Sequence, residues 1–104
     1  MAHAGPETRE ELRSESREEV DEPPLYKVFL LNDDYTTMEF VVSILRLVFK
    51  KTEEDAVAIM FNVHRQGMGL CGVYPFEIAE TKVDTVHALA VENGFPLKCI
   101  MEKE

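Results

Sequence analysis

From Leu25 onward the apolar and polar positions change period several times, and each period marks an element. Tyr26–Leu31 reads as a first strand whose apolar run is broken only by Lys27, which predicts burial on both faces and a central place in a sheet. Thr36-Thr37-Met38-Glu39 has the form of a capping box, with Thr36 as N-cap and Glu39 reaching back. Met38, Val41, Val42, Leu45 and Phe49 then share one helical stripe, so a first helix is predicted to about Phe49. Thr52-Glu53-Glu54-Asp55 repeats the start signal, Ala56, Ile59, Met60, Val63 and His64 share a face, and Gly67 supplies a C-cap for the second helix.

Residues 69–78 (GLCGVYPFEI) carry strand formers, while Pro75, which cannot donate to a ladder, argues for an edge. Thr81-Lys82-Val83-Asp84 is the predicted start of a third helix with Val83, Val86, His87 and Ala90 inward, closed by Gly94 and Pro96; Leu97–Met101 is the last strand. The order is β-α-α-β-α-β. If every element reverses direction, strands two and three both run antiparallel to strand one, and placing strand one between them satisfies its two-sided burial. The fold class is therefore α+β, a three-stranded antiparallel sheet with three helices packed on one face.

Residues 1–24 differ from this pattern. Up to Glu22 only Leu12 and Val20 are large and apolar beyond Met1, too few to offset the entropy of ordering the segment, so it is expected to be a disordered acidic extension to a domain at 25–104. The net charge of −9 divides into −5 over residues 1–22 and −4 over the rest, which disfavours a nucleic-acid partner. No apolar stretch approaches the roughly 20 residues that span a bilayer, and a cytoplasmic location is expected. Cys71 and Cys99 lack metal-type spacing and sit in apolar company, as reduced core thiols would.

Three groups of residues hold candidate chemistry. Asn32, Asp33 and Asp34 end the first strand, and an antiparallel helix pair would bring His64 to the same rim. Acids, an amide oxygen and a neutral imidazole nitrogen suit a cation that donates hydrogen bonds; the same residues would also serve as loop punctuation beside a core histidine. A metal site on Asp33, Asp34 and His64, and with it a small hydrolase, is a third possibility, although no short-range ligand pair sets its geometry. Met38, Val41, Met60 and Val63 form two facing stripes, which suit either core packing or a pliable apolar pocket. The segment Val73–Lys82, with Glu77, Glu80 and Lys82 after aromatics, reads as a solvated edge or as a docking surface for a general protein-interaction module.

Taken together, YKVFLLNDDYTTMEF, VHRQG, CGVYPFEIAETKV and PLKC resemble the ClpS family, adaptors that deliver N-degron proteins to a Clp AAA+ protease. The resemblance covers about residues 24–103 and implies a non-enzymatic, monomeric protein that needs no cofactor or metal. Its substrates would begin with Phe, Tyr, Trp or Leu. It further implies that Asn32 and His64 hydrogen-bond the free α-amino group with Asp33 contributing, and that Asp34, Thr36, Met38, Val41, Met60, Val63 and Leu97 line the side-chain pocket. Glu77 and Lys82 fall where the family meets the N-terminal domain of a ClpA-like or ClpC-like unfoldase, and the extension where it engages that unfoldase during delivery. Thr37 stands where many members have proline, which would loosen the helix start.

Overall fold

The computed structural model describes residues 22–104, so the expectation for the acidic extension lies almost wholly outside the described residues. Six elements follow in the expected order: β1 (Leu25–Leu31), α1 (Met38–Leu47), α2 (Glu53–Gln66), β2 (Met68–Pro75), α3 (Phe76–Glu92) and β3 (Lys98–Lys103). β1 pairs antiparallel with both neighbours and lies between them, in the order β2-β1-β3. This central placement makes β2 the edge strand that Pro75 required.

Alternation along β1 assigns its two faces. Val28 and Leu30 are fully buried against the helices, and Leu30 is flanked across the sheet by Gly69 and Cys99. Lys27, Phe29 and Leu31 are only half-buried, which corrects the expectation of two-sided burial. Phe29 lies between Leu70 and Ile100 on the neighbouring strands, so lateral cross-strand contact shields this face in place of a second helical layer. Between Val28 and Phe29 the register with β2 shifts, leaving Cys71 as the extra residue; it is 1% exposed. Burial pushes the thiols of both Cys71 and Cys99 up to about 12, so these free cysteines are inert core residues.

The helix boundaries show where local chemistry overrode the pattern. α1 begins one residue later than the capping box suggested: Thr37, with φ −74° and ψ 153°, is the N-cap and accepts from the Phe40 N–H at 3.1 Å. The Thr36 hydroxyl is directed away from the helix toward Asp33 Oδ2, to which it donates, and Glu39 makes no hydrogen bond back among the described residues. Thr37 therefore secures the helix start, where a proline would have no hydroxyl to cap with. α2 keeps its predicted ends, with Thr52 accepting from the Asp55 N–H and Gly67 in the left-handed region at φ 90°.

α3 starts five residues before Thr81. Pro75 ends β2 at φ −58° and hands the chain directly to the helix, and the inward stripe of Val83, Val86 and Ala90 extends one turn back to Ala79, itself fully buried. His87 accepts a hydrogen bond on Nε2 from the Cys99 N–H at 3.0 Å, tying α3 to the edge strand β3. Among the described residues no helix is long and apolar enough to cross a membrane.

Candidate functional site

The β1–α1 loop and the end of α2 are joined through backbone. The Asn32 N–H donates to the Gly67 carbonyl at 2.9 Å, so the left-handed cap that ends α2 also anchors the first residue after β1. This bond places the last turn of α2, with Val63 and His64, beside Asn32-Asp33-Asp34.

Asp33 organises the loop. Its Oδ1 accepts from the N–H groups of Tyr35 (2.8 Å) and Thr36 (2.7 Å), and its Oδ2 accepts from the Thr36 hydroxyl (2.7 Å). Partial burial works to raise the pKa of this carboxyl, but the hydrogen bonds from the Thr36 hydroxyl, the Thr36 N–H and the Tyr35 N–H outweigh it and hold it below the usual value. Asp33 is thus a fixed negative charge at the loop's centre.

Around this loop Asn32, Asp33, Asp34, Thr36, Met38, Val41, Met60, Val63 and His64 line a hollow of about 230 Å³. Its floor is apolar, with Val41, Met60 and Val63 buried, while Met38 is exposed at the mouth. Its rim is polar. Asn32 and His64 are both exposed, and among the described residues their side chains make no hydrogen bond, which removes the reading of His64 as a satisfied core histidine. The volume falls below the roughly 300–1,000 Å³ of sites for drug-sized ligands and suits one side chain with a small polar head. Leu97, expected on the apolar wall, is 3% exposed, as deeply buried as Val63, and lies outside the residues that line this hollow.

A second hollow of about 460 Å³ shares the Asn32–Asp34 wall and is completed by Leu31, Tyr35, Pro96 and Lys98. Tyr35 and Lys98 are not among the residues expected from the sequence; the signal it offered was an aromatic residue in an otherwise polar loop, and Tyr35 is 78% exposed. Among the described residues no group of three or more His, Cys, Asp and Glu is gathered as a metal ion would require, so Asp33, Asp34 and His64 do not form the ligand set of the hydrolase alternative.

Glu77 and Lys82 lie elsewhere, on a hollow of about 370 Å³ with Val48, Ile78, Thr81 and Thr85. Lys82 is turned inward: its Nζ donates to the Val48 carbonyl at 2.7 Å and lies 5.4 Å from the centre of the Tyr74 ring. It therefore closes the C-terminal end of α1 onto α3, a structural duty that its place in a surface segment did not suggest. Glu77 is exposed, between the exposed apolar side chains of Phe76 and Ile78.

Comparison with known proteins agrees with these features. A family model described as "ATP-dependent Clp protease adaptor protein ClpS" matches residues 21–100. Adapter proteins named ClpS from Desulforapulum autotrophicum and Lawsonia intracellularis are 66% and 56% identical over 82 and 87 residues, covering 79% and 84% of this chain and 79% and 80% of theirs. A solved structure of Agrobacterium tumefaciens ClpS2 bound to L-phenylalaninamide superposes with a TM-score of 0.77 at 44% identity, over 80% of this chain and 100% of that one. With a family match over most of its length and relatives this similar, the chain belongs to the ClpS family of Clp protease adaptors, proteins that are not themselves enzymes.

Proposed function

We propose that the smaller hollow receives the first residue of a substrate that begins with Phe, Tyr, Trp or Leu, and that the protein hands this substrate to the unfoldase of a Clp protease. The observation that carries the reading is the union, in one hollow of about 230 Å³, of an apolar floor with a rim on which Asn32 and His64 have free hydrogen-bonding atoms. An α-amino group, with a pKa near 8, is mostly ammonium at neutral pH and is a donor only. The Asn32 Oδ1 and a neutral His64 ring nitrogen would accept from it, and the fixed charge of Asp33 favours it. L-phenylalaninamide, the ligand of the Agrobacterium relative, joins a free α-amino group to a benzyl side chain, the two features this hollow matches.

The energetics favour a two-part requirement. Charge-assisted hydrogen bonds contribute roughly 1.5–3 kcal/mol each and burial of a Phe side chain about 1.5–3 kcal/mol. After the cost of association, micromolar affinity, about −8 kcal/mol, is reasonable. An internal Phe lacks the ammonium and an N-terminal Ala lacks the anchor.

Between the end of α1 and the first turns of α3, the hollow lined by Glu77 and Lys82 would meet the N-terminal domain of a ClpA-like or ClpC-like unfoldase, with the Lys82–Val48 hydrogen bond holding its wall in shape. The protein would act as a monomer in the bacterial cytosol, with residues 1–22 engaging the unfoldase during delivery. Fluorescence anisotropy of a labelled peptide beginning with Phe, set against the same peptide N-acetylated and one beginning with Ala, tests the recognition step. Binding by the free-amine Phe peptide alone supports the reading; equal behaviour of all three replaces it with a docking module indifferent to the first residue.

A further inference from the structure

Met38 is the first residue of α1 and stands on the lining of the smaller hollow, 42% exposed. Among the described methionines it is the exposed one: Met60, across the same hollow on α2, is 7% exposed, and Met68 and Met101 are half-buried. A thioether with access to solvent is oxidised by peroxide much more readily than one packed in a core. Position and exposure thus fall on the same side chain.

We propose that Met38 is a reversible oxidation site that switches off recognition of apolar first residues, an inference that rests on the substrate reading given above. The reaction is a two-electron oxygen transfer. The Met38 sulfur attacks one oxygen of hydrogen peroxide, the O–O bond breaks, an S–O bond forms, and the departing hydroxide takes up the remaining proton and leaves as water. Sulfur is oxidised and peroxide is reduced. Thiol-dependent reduction of the sulfoxide returns the thioether.

The effect on binding follows from the lining. As a thioether Met38 offers a soft, polarisable surface against an aromatic ring. As a sulfoxide it holds a strong hydrogen-bond acceptor at the mouth that an entering Phe must cover. Of the donors on the lining, the Thr36 hydroxyl is already donated to Asp33 at 2.7 Å, and a sulfoxide oxygen that drew the Asn32 amide or a His64 ring N–H would take those side chains away from the α-amino group. Covering an unsatisfied polar group is unfavourable, and a weakening of affinity on the order of tenfold is expected. Recognition and oxidation are also coupled in reverse, because a bound Phe side chain shields the sulfur.

The test treats the full chain with dilute hydrogen peroxide, maps sulfoxides by peptide mass spectrometry over time, and measures the anisotropy of a Phe-initiated peptide on the same samples. Met38 should oxidise before Met60, Met68 and Met101, affinity should fall in step with its sulfoxide, and prior addition of the peptide should slow the modification. Met38→Leu, whatever its untreated affinity, should be unmoved by peroxide, whereas Met68→Leu should stay sensitive. Unchanged affinity once Met38 is fully oxidised, or loss of binding in peroxide-treated Met38→Leu, overturns the proposal. Absence of peptide binding before any treatment counts instead against the substrate reading.

Discussion

Gly69 lies on β2 where α2 comes closest to the sheet, and replacing it with alanine tests how tightly the fold sets the shape of the hollow. A β-carbon there would stand 2.7 Å from Val63 Cγ2, 3.2 Å from the Ile59 carbonyl oxygen and 3.3 Å from the Val63 nitrogen. Val63 is β-branched and on a helix, so its χ1 has little freedom to turn away, and the other two atoms are backbone. Relief must come from α2 moving off the sheet. Overpacking of this kind costs about 1–3 kcal/mol, against which the loss of glycine's freedom in the unfolded chain returns about 0.4–1 kcal/mol. A net loss of about 1–2 kcal/mol is expected, and for a folded part of this size each kcal/mol lowers Tm by about 4–8 °C. Because the chain has no tryptophan, far-UV circular dichroism during urea or thermal unfolding is the suitable readout. Val63 lines the hollow and the Gly67 carbonyl anchors Asn32, so peptide affinity should fall together with stability. A Gly69→Ala protein as stable as wild type would refute the close α2–β2 contact and the coupling drawn from it.

Lys82→Met keeps the apolar stem and removes the ammonium that donates to the Val48 carbonyl; a loss of about 1–2 kcal/mol, discounted for partial exposure, should appear in urea unfolding, and no loss would return Lys82 to the role of a free surface charge. Asp33→Asn should cost about 0.5–1.5 kcal/mol at neutral pH through its loop hydrogen bonds. The folded-state pKa of Asp33 is depressed, so its carboxylate stabilises the fold above the ordinary carboxyl range and that contribution is lost as pH falls through the folded value; the gap between wild type and Asp33→Asn should therefore close in acid and stay open at neutral pH.

The elements that the hydrophobic pattern revealed best are those whose boundaries are written in local chemistry. α2 begins at Thr52 and ends at Gly67 because a side-chain cap and a left-handed glycine are both legible as residue types. Direction reversal together with the apolar run of β1 then placed that strand between its neighbours, and the placement holds although only one of its faces is fully buried. The α1 start was off by one because two adjacent threonines compete for the same duty, and Asp33, by taking the Thr36 hydroxyl, leaves the cap to Thr37. The first turn of α3 was read as strand because Phe76 and Ile78 favour strands by type, although the burial of Ala79 belongs to the helical period. β1 was credited with two buried faces since a half-shielded Phe29 between Leu70 and Ile100 cannot be told from a core residue before the cross-strand neighbours are known.

For the site, the loop Asn32–Asp34 and the helix residues Met60, Val63 and His64 stand about thirty positions apart, and only the antiparallel helix pair together with the Asn32–Gly67 backbone bond explains why they meet. Leu97 shows the limit of residue type here, because an apolar residue beside a strand has the same signature whether it lines a hollow or fills the core beneath it. The hydrogen bond from Lys82 to Val48 was not legible, because nothing in the segment indicates that a residue 34 positions earlier offers a carbonyl to it.

The most direct measurement is the affinity of one Phe-initiated, free-amine peptide for wild type, Asn32→Ala and His64→Ala by fluorescence anisotropy, with circular dichroism confirming that each variant is folded. Both side chains are exposed and, among the described residues, without partners, so their removal should leave the fold intact while lowering affinity by roughly tenfold to a hundredfold, the loss of one charge-assisted hydrogen bond each. Wild-type affinity in both folded variants would contradict recognition of the α-amino group at this rim.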